Sequence, residues 1–324
     1  MRFIIILSTL SACSLLAAPA FSDELIVTSE SGVVDFIDLD TGATGFRGLC
    51  SGTVRSMAVA DGIAFMGNEH GTVFSFDLSQ NQILGVFSVP SDNAAMAWVG
   101  DRLMVADSNG DVLVVNPDTQ SVDQTIPTGQ SDVTSIGVDA GGVFVGGLSS
   151  IAARAPIGGD DFSIFAACGS QIQAMAFGSN TMFLGGVPFF GTDEAVIYTF
   201  DKFVGGVNYT NTFNAPNDGT ALLAHGGLLY VGGSDGSIAE MDPDTGEVLR
   251  TFVFTQPITG IAPSQGLTTC PADYDTSGDL NFFDVATFIN LYIAELPAGD
   301  ANGDGVFDFF DVQRFIDLFS TGCP

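Results

Sequence analysis

The chain has 324 residues, of which 38 are acidic and 8 basic, and its formal net charge at pH 7 is −30. A charge of this sign repels nucleic-acid phosphates and anionic lipid headgroups, so neither nucleic acid nor a membrane surface is expected as a partner. Hydrophobic residues make up 46% of the sequence, which excludes a disordered chain and is sufficient for a buried core.

Residues 1–22 have the pattern of a secretory signal peptide. Arg2 supplies the basic start, an apolar stretch follows, and the small residues Ala-Pro-Ala at 18–20 form a cleavage signature. A lipoprotein signal acylated at Cys13 is the alternative, although the apolar residues directly after that cysteine would be unusual. No other run reaches the roughly 18 apolar residues of a membrane helix. The sequence therefore predicts an exported protein, secreted or associated with the cell surface, without membrane insertion.

Residues 23–266 repeat a pattern of short apolar segments separated by turn residues. In Asp218–Phe252, four such segments alternate with Gly-Gly, Ser-Asp-Gly and Asp-Pro-Asp-Thr-Gly turns. Corresponding positions in successive repeats are about 40 residues apart, at Met57, Met96, Ile136 and Met175. This pattern resembles the blades of WD40-like, quinoprotein-like and YVTN-type β-propellers. The resemblance implies an all-β propeller and says little about function.

The two ends of this repeat region complement each other. Asp23–Cys50 contains the second, third and fourth strands of a blade but lacks the innermost one. Pro257–Ala262 resembles an inner strand with nothing after it. The last strand is therefore predicted to complete the first blade, which removes open sheet edges. The region then divides into six blades of about 41 residues.

An insertion, Val187–Glu194, separates the second and third strands of the fifth blade. Insertions in repeat arrays often mark the binding face. Phe189 and Phe190, beside Asp193 and Glu194, are the candidate contact for a carbohydrate or protein ligand. The alternative is a neutral expansion of an exposed loop.

Few residues of the propeller region are suited to catalysis. His70 stands in a predicted turn, whereas His225 ends an inner strand and could reach the channel mouth. The predicted inner strands add Arg55 and Gln173 but no acid, and Trp98 is the only tryptophan that could stack on a quinone cofactor. We therefore predict no catalytic residues and no organic cofactor in the propeller.

Residues 270–324 contain two acidic twelve-residue loops that start 27 residues apart (300 − 273). Each loop resembles the EF-hand calcium loop, with oxygen ligands at alternating positions and a glycine at position 6. The predicted ligands of loop 1 (273–284) are Asp273, Asp275, Ser277, Asp279 and Asp284. Those of loop 2 (300–311) are Asp300, Asn302, Asp304, Val306, Asp308 and Asp311. A set made only of oxygen ligands favours calcium over zinc, so two calcium ions are predicted.

A helix is predicted after each loop, with apolar residues at i, i+3, i+4 and i+7 forming one buried stripe. The two stripes are Val285, Phe288, Ile289, Tyr292 and Val312, Phe315, Ile316, Phe319. Together with the flanking CPADY and STGCP segments, this duplicated loop-helix pattern resembles the GC-type dockerin of secreted bacterial proteins. The resemblance implies an α-helical calcium module that binds a cohesin-like or other protein partner. A calcium-stabilised cap without a partner is the alternative.

The module departs from better-studied dockerins at loop positions 10 and 11, where those carry a polar pair that contacts cohesin. Here two aromatic pairs stand at these positions, Phe282-Phe283 and Phe309-Phe310. Basic residues are nearly absent, and only Arg314 lies on the second helix. The predicted partner surface is therefore more apolar than a typical cohesin.

Four cysteines remain after the predicted signal cleavage, which allows three pairings. Cys270 and Cys323 bracket the C-terminal module, and we predict a disulfide between them because the ends of a two-fold module should meet. Cys50 and Cys168 precede inner strands three blades apart. The sequence leaves open whether they form a bridge across the channel mouth or stay free.

Two functions fit these features. The first is a secreted, non-catalytic binding or scaffold protein that attaches to an extracellular complex through its calcium-dependent module. The second is a polysaccharide-degrading enzyme, a glycoside hydrolase or lyase, because dockerins elsewhere accompany such catalytic domains. The composition of the inner strands favours the first.

Overall fold

A computed structural model describes most of the chain. The described residues are 24–264 except 91, 140–141, 157–158, 160 and 188–194, together with 272, 274, 280, 282–293, 299–302 and 306–321, with only the backbone at 283 and 321.

Six four-stranded antiparallel sheets form the blades of a propeller. Blade 1 contains β1 (Glu24–Ser29), β2 (Val33–Asp38), β3 (Thr44–Leu49) and β24 (Ile258–Pro263). Blade 2 contains β4 (Val54–Ala60), β5 (Ile63–Asn68), β6 (Thr72–Asp77) and β7 (Gln82–Ser88). Blade 3 contains β8 (Ala95–Val99), β9 (Arg102–Ala106), β10 (Asp111–Asn116) and β11 (Ser121–Pro127).

The remaining blades continue in chain order. Blade 4 contains β12 (Val133–Asp139), β13 (Gly142–Gly147), β14 (Ile151–Ala155) and β15 (Ser163–Ala167). Blade 5 contains β16 (Ala174–Phe177), β17 (Thr181–Gly186), β18 (Val196–Asp201) and β19 (Asn211–Asn214). Blade 6 contains β20 (Ala221–His225), β21 (Leu228–Gly232), β22 (Ser237–Met241) and β23 (Val248–Val253).

The ring closes through the pairing of the last strand with the first. β24 runs antiparallel to β1, with Leu25 opposite Pro263 and Val27 opposite Ile261. The inner strands then pack against each other around the axis, including β24 against β4. The six-bladed propeller and the composite first blade predicted from the sequence are thus confirmed.

The apolar core of the propeller is divided into six clusters, each of which lies between two neighbouring blades. The cluster between blades 6 and 1 contains Leu25 and Val27 from β1 together with Ile258 and Ile261 from β24. A single blade is an amphipathic sheet that cannot bury both faces, so each cluster needs both of its blades. The core of this propeller is complete only when the ring is closed.

The glycine that ends the second strand of several repeats lets adjacent blades approach closely. At Gly232, an added Cβ would lie 2.7 Å from Cγ2 of Ile258 and 3.1 Å from Cδ1 of Ile261, both on the next inner strand. Equivalent close approaches occur at Gly67, Gly146 and Gly185. The repeated glycine in the sequence therefore reflects packing between blades.

Replacing Gly232 by alanine is expected to lower the free energy of unfolding by about 1–3 kcal/mol, because the new methyl group overpacks the contact with Ile258. Gly178→Ala is the matched control, since its Cβ would meet only ordinary contacts with Phe183 and Thr181. Chemical denaturation of both variants measures the difference. Equal stability of the two would contradict this role for Gly232.

Two helices, α1 (Phe282–Ile293) and α2 (Phe309–Thr321), form the described core of the C-terminal module. The rings of Phe288 and Phe315 stack with their centroids 4.2 Å apart, and Tyr274 contacts both edge-on at 5.5 Å. Phe203, which follows β18 in blade 5, packs against the same cluster. The module therefore rests against the propeller.

The predicted apolar stripes are confirmed except at one position in each helix. Ile289 and Ile316 are exposed, whereas Leu291 is buried with Phe288. The other predicted positions lie in or against the core of the module, as Val285 and Tyr292 do beside Phe288, and Val312 and Phe319 beside Phe315. The buried face of α1 also includes Asp284 and Leu291, which the sequence analysis did not place there.

No helix in the described part of the chain has the length and apolar character needed to cross a membrane.

Candidate functional site

The mouth of the central channel is one candidate site. A cavity of about 110 Å³ is lined by the beginnings of all six inner strands. Its polar side chains include Arg55, which is ion-paired with Glu69 at 3.0 Å. Gln173 also lines it, and its buried Oε1 has no hydrogen-bond partner among the described residues. The mouth thus offers a cation and an amide oxygen to a small polar ligand.

Threonines around this mouth join neighbouring blades. Thr134 Oγ1 donates a hydrogen bond to the carbonyl of Ile172, and Thr220 Oγ1 donates one to the carbonyl of Ile258 at 2.8 Å. Each bond links one blade to the inner strand of the next. These hydroxyl groups therefore help to hold neighbouring blades of the ring together.

The histidines lie away from the cavity lining. His225 ends β20 opposite Leu228 and lies at the other end of that strand from Thr220. Contrary to the expectation from the sequence, His225 is therefore not among the residues that line the described mouth. The reason is that the cavity opens at the beginning of the inner strands, whereas His225 lies at the end of one. His70 is an exposed turn residue beside Glu69, as predicted. Trp98 stacks on Phe65 with centroids 5.2 Å apart and is part of the packing.

The predicted aromatic contact in blade 5, Phe189 and Phe190, lies outside the described residues. Val187, the first residue of the insertion, accepts a backbone hydrogen bond from Gln171 at 3.2 Å, and Ala195 directly after the insertion is buried. Both flanks of the insertion are therefore anchored to the blade.

Loop 2 of the module folds around its closing carboxylate. Asp311 is fully buried and accepts hydrogen bonds from the backbone N–H groups of Asn302 at 3.2 Å and Asp308 at 2.9 Å. Asp308 in turn accepts a hydrogen bond from the N–H of Phe310 at 2.7 Å and so caps α2. The loop and the helix start are thereby fixed together.

The ligand set predicted for calcium is only partly described. Asp273, Asp275, Ser277, Asp279 and Asp304 lie outside the described residues. Among those described, Asp284 and Asp311 are fully buried, Asp300 and Asp308 half-buried, and Asn302 and Val306 exposed. No three acidic, histidine or cysteine side chains of this described part come together as a metal site. In the described part of each loop, the carboxylate at the closing position is fully buried.

The three described side chains of the aromatic pairs at the helix starts are exposed to solvent. The exposed fraction is 75% for Phe282, 68% for Phe309 and 66% for Phe310. The rings of Phe309 and Phe310 contact each other with centroids 6.3 Å apart. Large exposed aromatic side chains of this kind are typical of binding surfaces.

The two cysteines of the propeller are free. Cys50 is buried, and burial raises the pKa of its thiol to about 11. Of the two alternatives that the sequence left open, the structure therefore shows free cysteines and no disulfide between Cys50 and Cys168. Cys270 and Cys323 lie outside the described residues, and their disulfide stays a prediction.

A buried ionic group at the junction between the propeller and the module was missed from the sequence. Lys202, the only lysine of the chain, is fully buried and contacts Asp139 at 3.0 Å. Arg154 on β14 is also buried, and burial lowers its pKa while attraction to Asp139, Tyr274 and Asp300 acts in the opposite direction. The one sequence feature that could have pointed to this ionic group is the single lysine of the chain, which stands in a turn beside Phe203.

No protein-family model matches the sequence, and no curated protein matches it. Its fold is common, since 1697 chains of solved structures match. One is a chain of the "Crystal structure of Nidogen/Laminin Complex", with a TM-score of 0.64 and 14% sequence identity. The match covers 74% of this chain and 98% of that chain. Identity this low establishes the shared propeller fold and no more.

Proposed function

We propose that this protein is an exported, non-catalytic binding or scaffold protein, whose C-terminal module binds two calcium ions and docks onto a protein partner. The observation that carries the proposal is the solvent exposure of Phe282, Phe309 and Phe310, whereas aromatic residues such as Tyr274, Phe288 and Phe315 are packed in the core of the module. Neighbouring exposed aromatic side chains such as Phe309 and Phe310, whose rings contact each other, are typical of a partner-binding surface.

Calcium would be held by carboxylate, amide, hydroxyl and carbonyl oxygens of loops 1 and 2. Its charge would offset the acidic side chains crowded into each loop, and so allow α1 and α2 to pack. Asp284 and Asp311 support this assignment because they sit at the closing position of each loop and are fully buried. Asp308, at the start of α2, links the loop to the exposed Phe310 through its cap.

The propeller supports the scaffold part of the proposal. The described lining of its channel mouth contains Arg55 and Gln173 but no carboxylate. The similar propeller found in a nidogen/laminin complex belongs to an assembly of proteins. A protein or carbohydrate ligand on the face that carries Phe189 and Phe190 remains part of the proposal.

The double substitution Phe309→Ala and Phe310→Ala is expected to reduce partner binding at least about tenfold, because central aromatic contacts dominate interface energies. The test uses the full-length protein as bait for the secreted proteins of its host, with quantification of each captured protein by mass spectrometry. The authentic partner is retained in calcium and released by chelator.

Phe46→Ala is the control for this experiment, since Phe46 is a comparably exposed phenylalanine on β3 of the propeller. It should leave capture unchanged. Capture that survives both the chelator and the double substitution would contradict docking through the aromatic pairs. Release of sugars from polysaccharides by the wild-type protein would instead favour an enzyme.

A further inference from the structure

The mouth of the central channel carries an inference about the ligand of the propeller, and it rests on the non-catalytic binding role proposed above. Each inner strand contributes one side chain near its beginning to the rim of the cavity, at equivalent positions of the six blades. These rim residues are Arg55, Ala94, Thr134, Gln173, Thr220 and Thr259. A ligand at the rim would therefore meet polar side chains from five of the six blades.

The rim offers several hydrogen-bond acceptors to a ligand. Thr134 and Thr220 donate their hydroxyl protons to backbone carbonyls of the next blade, which leaves their oxygens as acceptors. The buried Oε1 of Gln173 has no hydrogen-bond partner among the described residues. The terminal amide of glutamine turns readily about its last side-chain bond, and an unpaired buried oxygen is unfavourable. A ligand that donates a hydrogen bond to Gln173 would therefore be stabilised.

The one cation of the rim stands on the opposite side of the mouth. Arg55 belongs to blade 2 and Gln173 directly precedes the inner strand of blade 5, so three blade steps separate them in a ring of six. Arg55 Nη2 donates a hydrogen bond to Glu69 at 3.0 Å, and a guanidinium group has further N–H donors. A ligand between the two sides must accept from Arg55 and donate to Gln173, and hydroxyl groups do both.

An apolar layer lies deeper in the channel than this rim. Side chains two positions apart share one face of a strand, and the residue two positions after each rim residue also lines the cavity. All members of this layer except Met57 are buried. The six residues are Met57, Met96, Ile136, Met175, Leu222 and Ile261. The layer suits the C–H groups of a ligand whose hydroxyl groups contact the rim.

We propose that the channel mouth binds one unit of a neutral sugar, either as a free monosaccharide or as the end of a longer chain. The cavity of about 110 Å³ is smaller than the roughly 300–1,000 Å³ usual for small-molecule sites, which limits the ligand to a single small ring. The net charge of −30 opposes an anionic ligand, and Arg55 opposes a cationic one. A neutral polyhydroxylated ring avoids both penalties.

Saturation-transfer NMR and isothermal titration calorimetry on the full-length protein test this assignment. The probes are glucose, galactose, mannose, xylose and N-acetylglucosamine, each with a disaccharide that it terminates, and the anionic sugars glucuronate and galacturonate. At least one neutral sugar should bind. Tighter binding of a disaccharide than of its monosaccharide supports capture of a chain end, whereas equal affinity supports a monosaccharide site.

Gln173→Leu should weaken this binding by roughly three- to tenfold, because one hydrogen bond is lost. The Tm of this variant without sugar should stay unchanged or rise, because the substitution removes a buried oxygen that has no partner. A purely structural role of Gln173 would lower the Tm instead. Gln124→Leu, the same substitution at an exposed position of β11, is the control and should leave sugar binding unchanged.

Arg55→Met is the second variant, and it should fold because Arg55 is exposed. It should also weaken sugar binding, whereas Arg102→Met, which removes a cation paired with Asp123 away from the cavity, should leave the affinity unchanged. Unchanged affinity in both rim variants, binding of the anionic sugars alone, or binding of none of the probes would overturn the inference. Cleavage of a bound sugar would instead contradict the proposed non-catalytic role and leave the sugar site in place.

Discussion

Deleting residues 257–266 is expected to open the ring and abolish the cooperative unfolding of the propeller. The deletion removes β24, and with it the pairing to β1 and the buried side chains Ile258 and Ile261. Truncating one buried isoleucine typically costs about 2–5 kcal/mol. Loss of both, together with the strand pairing, approaches the total stability of about 5–15 kcal/mol that is usual for a folded domain.

Single substitutions test the same ring closure with a smaller expected loss of stability. Ile258→Ala is expected to lower the free energy of unfolding by about 2–5 kcal/mol. Ile164→Ala removes the same atoms from an exposed position on β15 and should change it by less than about 0.5 kcal/mol. Thermal denaturation followed by circular dichroism measures all three variants. A deletion variant that melts like the full chain would contradict closure by β24.

Calcium removal is expected to unfold the C-terminal module while the propeller stays folded. The described core of the module is small, consisting of Tyr274, Phe288, Leu291, Phe315 and Ala272. A core of this size does not offset the conformational entropy of the chain and the repulsion within two acidic loops. The amides of α1 and α2 should therefore exchange rapidly in chelator and slowly in calcium.

One substitution should reproduce half of this effect. Asp311→Ala removes the buried carboxylate around which loop 2 folds, so α2 should lose protection even in calcium. Asp317→Ala, which removes the same charge from the exposed side of α2, is the control. Hydrogen exchange read by mass spectrometry reports both helices separately. Full protection of α2 in chelator, or in Asp311→Ala, would show that calcium does not organise the module.

The propeller could be predicted in detail because its rules are local and repeated. The missing strand before Leu25 and the spare strand at Ile258 pointed to the same closure, which the pairing confirms. The glycine that recurs near the end of the second strand, as at Gly232, marked the repeat in the sequence, and its role in the contact between blades became visible only in the structure. Because the pattern occurs six times, an irregularity in one blade does not obscure the prediction of the fold.

The module and its junction were less predictable. The apolar spacing located both helices and most of their buried residues, but it missed the burial of Asp284, because a charged residue is normally expected to face water. The contact between Lys202 and Asp139 joins residues 63 positions apart in separate blades. No sequence period connects them, so only the folded ring brings them together.

The most direct test of the account is the stoichiometry of calcium binding by the full-length protein. Calorimetric titration of the calcium-free chain should show about two sites. The Asp284→Asn and Asp311→Asn variants should each lose one site, and the double variant should lose both. Absence of calcium binding by the wild-type chain, or two unchanged sites in the double variant, would contradict the assignment of loops 1 and 2 as calcium sites.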